Sequence, residues 1–352
     1  MDLLGTVVDP FRPDFHLAKL EGDAVFMYAL DDEIDGSILL DRVEASYFAF
    51  QRRLLTIVQA SACECDACIR IPDLDLKVVV HHGSIIRHEV LGSQELVGSD
   101  VIVVHRLLKN RIVEDLGISA YALLTDACLA ATRLEAGELG MIRYEDDFEG
   151  VGTVGGWVHD LGEAWRAARE RERIRVGPDT ALWSTEGLIP GVPAAAMWVW
   201  ITSPARKRRW ETSFDDVIEY AGDGGRRGPG TETHCVHGEN LIKNSVLDWR
   251  PPHYVTNYGE FPDGTPYIVT DEVVEGEGGT IVRKSIRAPT DETRPALQAA
   301  LEMMAPAIEG WIRTLVDLAA EEYGSRKSIG EPELPRADES ARLASTVRDD
   351  DR

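Results

Sequence analysis

Three thiols fall within six residues in the segment Cys63-Glu64-Cys65-Asp66-Ala67-Cys68. The C-x-C-x2-C spacing lets two or three thiolates share one Zn²⁺, with His81 or His82 supplying a further ligand. Adjacent strand residues face opposite ways, so only one of those histidines can join. The spacing is not a complete CxxC plus CxxC pair, and free reduced thiols are the plainer expectation. A second group is Asp23 in the turn Glu21-Gly22-Asp23, where a carboxylate suits a hard ion such as Mg²⁺ or Mn²⁺. In the second half His234 and His237 flank Cys235. Residues three apart on a strand point to opposite faces and cannot chelate one ion. No base adjoins Cys235 to lower its pKa, so it reads as a small buried hydrophobe. Glu272 and His253 are lone polar groups without an obvious acid or base partner in sequence.

The elements that must hold these groups follow from periodicity. Residues 14 to 30 read as two short strands around the 21–23 turn. Over 36 to 60, Ile38, Leu39, Val43, Phe50, Leu54 and Val58 recur at helical spacing. Asp41, Arg42, Glu44, Arg52 and Arg53 are left for the wet face of that helix. LKVVVHHGSIIRHEVLG reads as a strand, a glycine turn and a second strand, a hairpin signal. Residues 98 to 112 look helical, and 120 to 132 look like a strand followed by a helix. The glycine-rich MIRYEDDFEGVGTVGGWV is strand-like, and residues 158 to 175 form a charged linker helix. From 176 the texture changes to a strand, two short helices around 193 to 210, and strands at hairpin spacing, clearest in HCVHGENLIKNSVLDW and YIVTDEVVEGEGGTIVRKSI. Leu297, Leu301, Met304, Ile308, Trp311, Leu315 and Leu318 form one apolar stripe along a last, long helix. Beyond Tyr323 the chain is polar, and residues 326–352 are expected to be a disordered acidic tail.

With 352 residues, the chain is expected to form two domains. Sixty-one acidic against 37 basic residues give a net charge of -24. Such a field repels phosphate backbones and anionic lipid surfaces unless a basic patch is segregated, which argues against nucleic acid as a partner. No apolar run reaches the roughly 18 residues of a membrane span, and MDLLGTVVDP lacks a basic n-region, so the chain reads as cytoplasmic.

KLEGDAVFMYA, LKVVVHHGSIIRHEVLG and VGSDVIVVHRLLKN together resemble the class III adenylate and guanylate cyclase domain, over residues 1–157. The resemblance implies that Asp23 is one of two metal-binding aspartates for Mg²⁺ or Mn²⁺, that Lys19 and Glu95 read the purine of ATP, and that Arg106 stabilises charge on the transferred phosphate. It also implies a homodimer. Two departures accompany it. Ile102 stands where the family has an asparagine, and the strand carrying the second metal-binding aspartate falls before this chain starts. Two-metal chemistry needs both carboxylates.

Residues 176–325, with VPAAAMWVWITSPARKRRWE, HCVHG and LDWRPPHYVT, resemble the START-like or polyketide cyclase-like (SRPBCC) proteins. There a curved sheet grips a long helix around an apolar cavity. The resemblance implies an apolar small molecule or lipid as ligand, with Trp198, Trp200, Trp210, Tyr254, Met303, Met304 and Trp311 as wall or mouth residues. The pairing of the two domains is similar to an uncharacterised bacterial DUF2652-type family. The expectation is an α+β protein, a truncated ferredoxin-like cyclase-type domain followed by a helix-grip domain, a non-catalytic or weakly active signalling protein in which ligand sensing is coupled to the degenerate cyclase-like domain. An active adenylate cyclase and a polyketide cyclase-type enzyme are the alternatives.

Overall fold

The computed structural model describes residues 2–30, 35–60, 70–90, 93–213, 215–237 and 240–327. The chain is a mixed α+β protein. Helix α1 (Asp2–Val8) leads into the hairpin of β1 (His16–Glu21) and β2 (Ala24–Tyr28), whose turn uses Gly22 at φ 66°. Helix α2 runs over Gly36–Ala60, the span its apolar spacing predicts. Its stripe of Leu39, Leu40, Val43, Phe50 and Leu54 closes one core with Ala122 and Leu124 of the central strand.

That strand, β6 (Tyr121–Thr125), lies within a four-stranded sheet of order β3-β6-β8-β7, with β3 at Lys77–Val80, β7 at Ile142–Phe148 and β8 at Gly152–Asp160. β3 and β6 run parallel, and the other pairs are antiparallel. A strand buried on both faces carries five buried residues in succession, as β6 does. The hairpin expected from LKVVVHHGSIIRHEVLG is corrected here. β3 pairs with β6, while β4 (Ile86–Val90) pairs with β5 (Ser93–Val97) as a separate two-stranded sheet. Parallel pairing to a distant strand leaves no local signature, whereas the next apolar run along the chain mimics a hairpin partner. Helix α3 (Ser99–Leu107), α4 (Ile112–Leu116) and α5 (Asp126–Thr132) cover this half.

Helix α6 (Leu161–Glu170) begins on an N-cap in which Asp160 Oδ1 accepts from the Glu163 amide at 2.8 Å. It is no free linker: Trp165 packs on Phe48 of α2, ring centroids 5.1 Å apart.

The second half is built on a seven-stranded antiparallel sheet of order β10-β11-β12-β13-β14-β15-β9. Its strands are β9 (Trp183–Pro190), β10 (Asp216–Tyr220), β11 (Glu232–His237), β12 (Asn240–Arg250), β13 (Tyr254–Glu260), β14 (Pro266–Gly276) and β15 (Gly279–Arg287). Two short helices, α7 (Ala194–Thr202) and α8 (Pro204–Trp210), and the long α9 (Arg294–Lys327) pack against it. This is a helix-grip arrangement. At Gly187 a Cβ would stand 2.6 Å from Val316 Cγ2, so glycine there lets β9 and α9 meet. Among the described residues no helix is long and apolar enough to cross a membrane.

Candidate functional site

Between the halves lies a cleft of about 1780 Å³. Its walls come from α2, α6 and the chain after it on one side, and from β12, the β12–β13 turn and β14 on the other.

One end of the cleft is closed by a buried charged joint. Asp41, expected on the wet face of α2, is 0% exposed. The Trp198 and Trp249 indole N–H groups donate to its Oδ2, each at 3.0 Å, and Arg226 Nη2 stands 3.7 Å from Oδ1. One turn on, Glu44 accepts from Arg226 Nη1 at 2.8 Å and Nη2 at 2.6 Å, and its Oε1 lies 2.8 Å from His159 Nε2. Arg42 is also buried, bonded to Asp14 and to the Pro10 and Arg12 carbonyls. The wet-face expectation for Asp41, Arg42 and Glu44 is therefore corrected. α2 has apolar residues on one side for its own half; its polar side is covered by the other half at Asp41 and Glu44 and by the segment before β1 at Arg42. Burial pushes the Asp41 carboxyl up to about 7, against the pull of Arg226 and the two indoles. Glu44 suffers the same burial, but Arg226 and His159 hold it well below the usual carboxylate range.

Arg227 extends the joint. Its Nε donates to both Glu219 oxygens at 2.9 and 2.8 Å, and its Nη1 reaches Asp35 Oδ2 at 2.7 Å, just before α2.

Beyond the joint, Asp248 fixes the segment that follows α6. Buried on β12, it accepts from the Ile174 amide at 3.0 Å, from Arg250 Nε at 2.9 Å and from the Tyr254 hydroxyl at 2.8 Å. Arg250 Nη2 donates to the Arg171 and Glu172 carbonyls at 2.8 and 3.1 Å, and Nη1 to that of Ala168. The backbone over 168–174 is thus tied down along one wall of the cleft. Nine arginines and six carboxylates are among the lining residues, the reverse of the chain as a whole.

The residues expected to line an apolar cavity are spread over several surroundings among the described residues. Trp198 and Trp210 are in the core, with Trp210 Nε1 donating to the Trp200 carbonyl at 3.0 Å. Trp200 is buried beneath Arg206 and Arg209, 4.9 and 4.8 Å from its ring. Met304 packs on the cluster of Val269, Ile286 and Leu297, Trp311 packs on both that cluster and the core of the three tryptophans, and Met303 is 75% exposed on the outside of α9. Of the seven, Tyr254 alone lines the large cleft. Inside the grip the sheet carries a buried ion pair, Lys284 Nζ to Asp271 Oδ1 at 2.7 Å.

The four cyclase-like positions sit on adjoining elements. Lys19 on β1 pairs with Glu21 at 2.6 Å, and Asp23 is exposed in the turn. Glu95 is exposed on β5 opposite His88, and Arg106 is half-buried on α3. His105 ties α3 to the hairpin, with Nδ1 3.3 Å from Glu21 Oε2 and its ring 5.0 Å from Phe26. No hydrogen bond or ion pair joins any two of the four among the described residues. Ile102 is 56% exposed. Cys63, Cys65 and Cys68 lie outside the described residues. His81 is engaged with Thr125 Oγ1 at 2.9 Å and Asp100 Oδ1 at 3.5 Å, and His82 is exposed. Among the described residues no three histidine, cysteine or acidic side chains are grouped to hold a metal ion.

Residues 1–115 match the family model described as "Protein of unknown function (DUF2652)". The uncharacterized protein Rv2561/Rv2562 of Mycobacterium tuberculosis is 33% identical over 159 residues, 45% of this chain and 72% of that protein. The chain belongs to the same family as that mycobacterial protein. Among solved structures, similarity is found to DynU16 from the dynemicin biosynthetic locus, at 16% identity and a TM-score of 0.28, over 38% of this chain and 45% of DynU16. The chain thus spans less than half the length of DynU16. CalU16 of Micromonospora echinospora matches at 14% identity and a TM-score of 0.26, over 41% of this chain and 84% of its own. A Rhodobacter sphaeroides protein matches at 22% identity and a TM-score of 0.32, over 39% and 91%. The helix-grip description rests on the strand order and the long helix themselves.

Proposed function

We propose that this protein binds an amphipathic small molecule, without chemistry upon it, in the cleft between its two halves. The observation that carries the reading is the cleft itself, about 1780 Å³ with mixed apolar and charged walls on a helix-grip scaffold. Such a volume exceeds that of most small-ligand sites, roughly 300–1,000 Å³, and leaves room for ligand and water together. Phe48, Leu55, Ile142 and Trp165 offer apolar surface, while the joint supplies a rigid floor. The test is native mass spectrometry of the full chain beside Ala49→Trp, which fills the cleft wall. A co-purifying small molecule retained by the parent and lost from the variant is the expected result. Equal retention by both would place the ligand elsewhere.

A second reading is a metal-dependent ATP-cyclising site shared across a homodimer. One observation favours it: the β1–β2 hairpin bearing Lys19 and Asp23 is drawn against α3, which carries Arg106, and contacts β5, which carries Glu95. Mg²⁺ or Mn²⁺ would be held at Asp23. Formation of cyclic AMP from ATP and Mn²⁺, abolished by Asp23→Asn, is its test. Absence of product at high enzyme concentration rejects it.

A further inference from the structure

In the joint each charge is answered by an opposite one; on the neighbouring wall, past Asp160 and Glu163 at the start of α6, cationic side chains gather. Arg52 from α2, Arg169 from the last turn of α6, Arg173 from the tied segment and His253 from the β12–β13 turn all line the cleft. The guanidinium carbons of Arg52 and Arg169 lie 5.8 and 5.7 Å from the centroid of Trp165. Phe48 packs on the same indole. All four keep exposed surface in the cleft. Partial loss of surrounding water, then the charge of Arg173, pushes the Arg52 guanidinium below its ordinary value, and partial loss of water, then Arg52 and Arg173, does the same to the His253 imidazole. The charged neighbours that act on the two groups are arginines. Among the described residues Arg52, Arg169 and Arg173 form no ion pair.

The structural explanation covers only part of this. A helix C-terminus favours a cation in its last turn, which accounts for Arg169. It does not account for Arg52 and His253, which arrive from other elements, or for Arg173, held in place by the hydrogen bonds of Asp248 and Arg250 to its neighbours. Like charges crowded on a concave wall repel each other, and an anion between them removes that cost. Guanidinium groups meet oxyanions through paired N–H donors, so an oxyanion is the matching chemistry.

We propose that this wall is an oxyanion subsite, taking the phosphate, sulfonate or carboxylate end of an amphiphile whose apolar body lies on Trp165 and Phe48. The proposal rests on the reading of the cleft as the ligand site and names the class of ligand it selects.

The test uses two dyes on the full chain, 1-anilinonaphthalene-8-sulfonate and the uncharged N-phenyl-1-naphthylamine, which differ by the sulfonate. Titrations followed by dye fluorescence compare the parent with the double variant Arg52→Gln, Arg173→Gln and with Arg52→Lys, Arg173→Lys. The expected result is that the glutamine variant weakens the sulfonate dye by 10-fold or more, leaves the uncharged dye unchanged, and that the lysine variant retains most of the binding. Circular dichroism melts show that each variant is folded. If both dyes bind the parent and the glutamine variant equally, the oxyanion subsite is overturned while the cleft reading stands. If Ala49→Trp leaves both dyes bound, or neither dye binds the parent, the cleft reading falls and the subsite with it.

Discussion

Helix α2 carries two kinds of charge eight residues apart, enclosed and matched up to Glu44 and exposed at Arg52. At Asp41 and Glu44 the carboxylates are out of water but matched by two indoles, a bidentate arginine and a histidine. At Arg52 the guanidinium is beside water, an aromatic ring and another arginine. A buried pair with its hydrogen bonds complete fixes a geometry and is costly to break. A crowded set of like charges lowers stability and is retained where something else is gained. The first region holds the two halves in place; the second is the one the proposed subsite would use.

The comparison breaks if the two regions respond alike to mutation. The largest effect is expected for Asp41→Ala, which strands two buried indole N–H groups and removes a partner of Arg226. About 3–5 kcal/mol of unfolding free energy should be lost in urea titrations. Glu44→Gln keeps the shape but leaves Arg226 less well matched, and about 1.5–3 kcal/mol should go. In contrast, Arg52→Gln should stay within about 0.5 kcal/mol of the parent, or exceed it, because it relieves repulsion and removes no ion pair. Met303→Ser, on the exposed side of α9, should be equally silent in stability and in dye binding.

Acid titration sharpens the same contrast. The Asp41 carboxyl titrates near 7 when folded, against about 3.9 in an unfolded chain, so the folded state holds that proton more tightly. Its contribution to stability therefore declines as pH rises from about 4 through about 7. Glu44 has the opposite sign: it stabilises above its unfolded value of about 4.3, and that gain is lost as pH falls below it. Urea midpoints between pH 4 and pH 8 should show a decline that Asp41→Asn removes. An unchanged profile would mean that Asp41 is charged throughout.

Much of the scaffold was legible before the structure. Helix α2, the hairpins β11–β12 and β14–β15, the short helices near 193–210 and the long helix all follow from periodicity, turn residues and length, which are local properties. β3 was read as a strand but given the wrong partner. The candidate site was far less legible. Asp41, Glu44 and Arg226 lie in no motif, Asp248 and Arg250 fall within LDWRPPHYVT without a role that the segment itself reveals, and Trp198, Trp200 and Trp210 are part of the core.

By itself the amino-acid sequence determined which segments form helices and hairpins and that the second half would set a long amphipathic helix on a sheet. Only the tertiary structure decided which polar residues are wet. Asp41 meets Trp198 and Trp249 across 157 and 208 residues of chain, and Glu44 meets Arg226 across 182. Arg52, Arg173 and His253, from separate elements, line the same cleft. A side chain's dielectric surroundings and charge partners are set by whatever folds against it, and over such separations no local pattern carries that information.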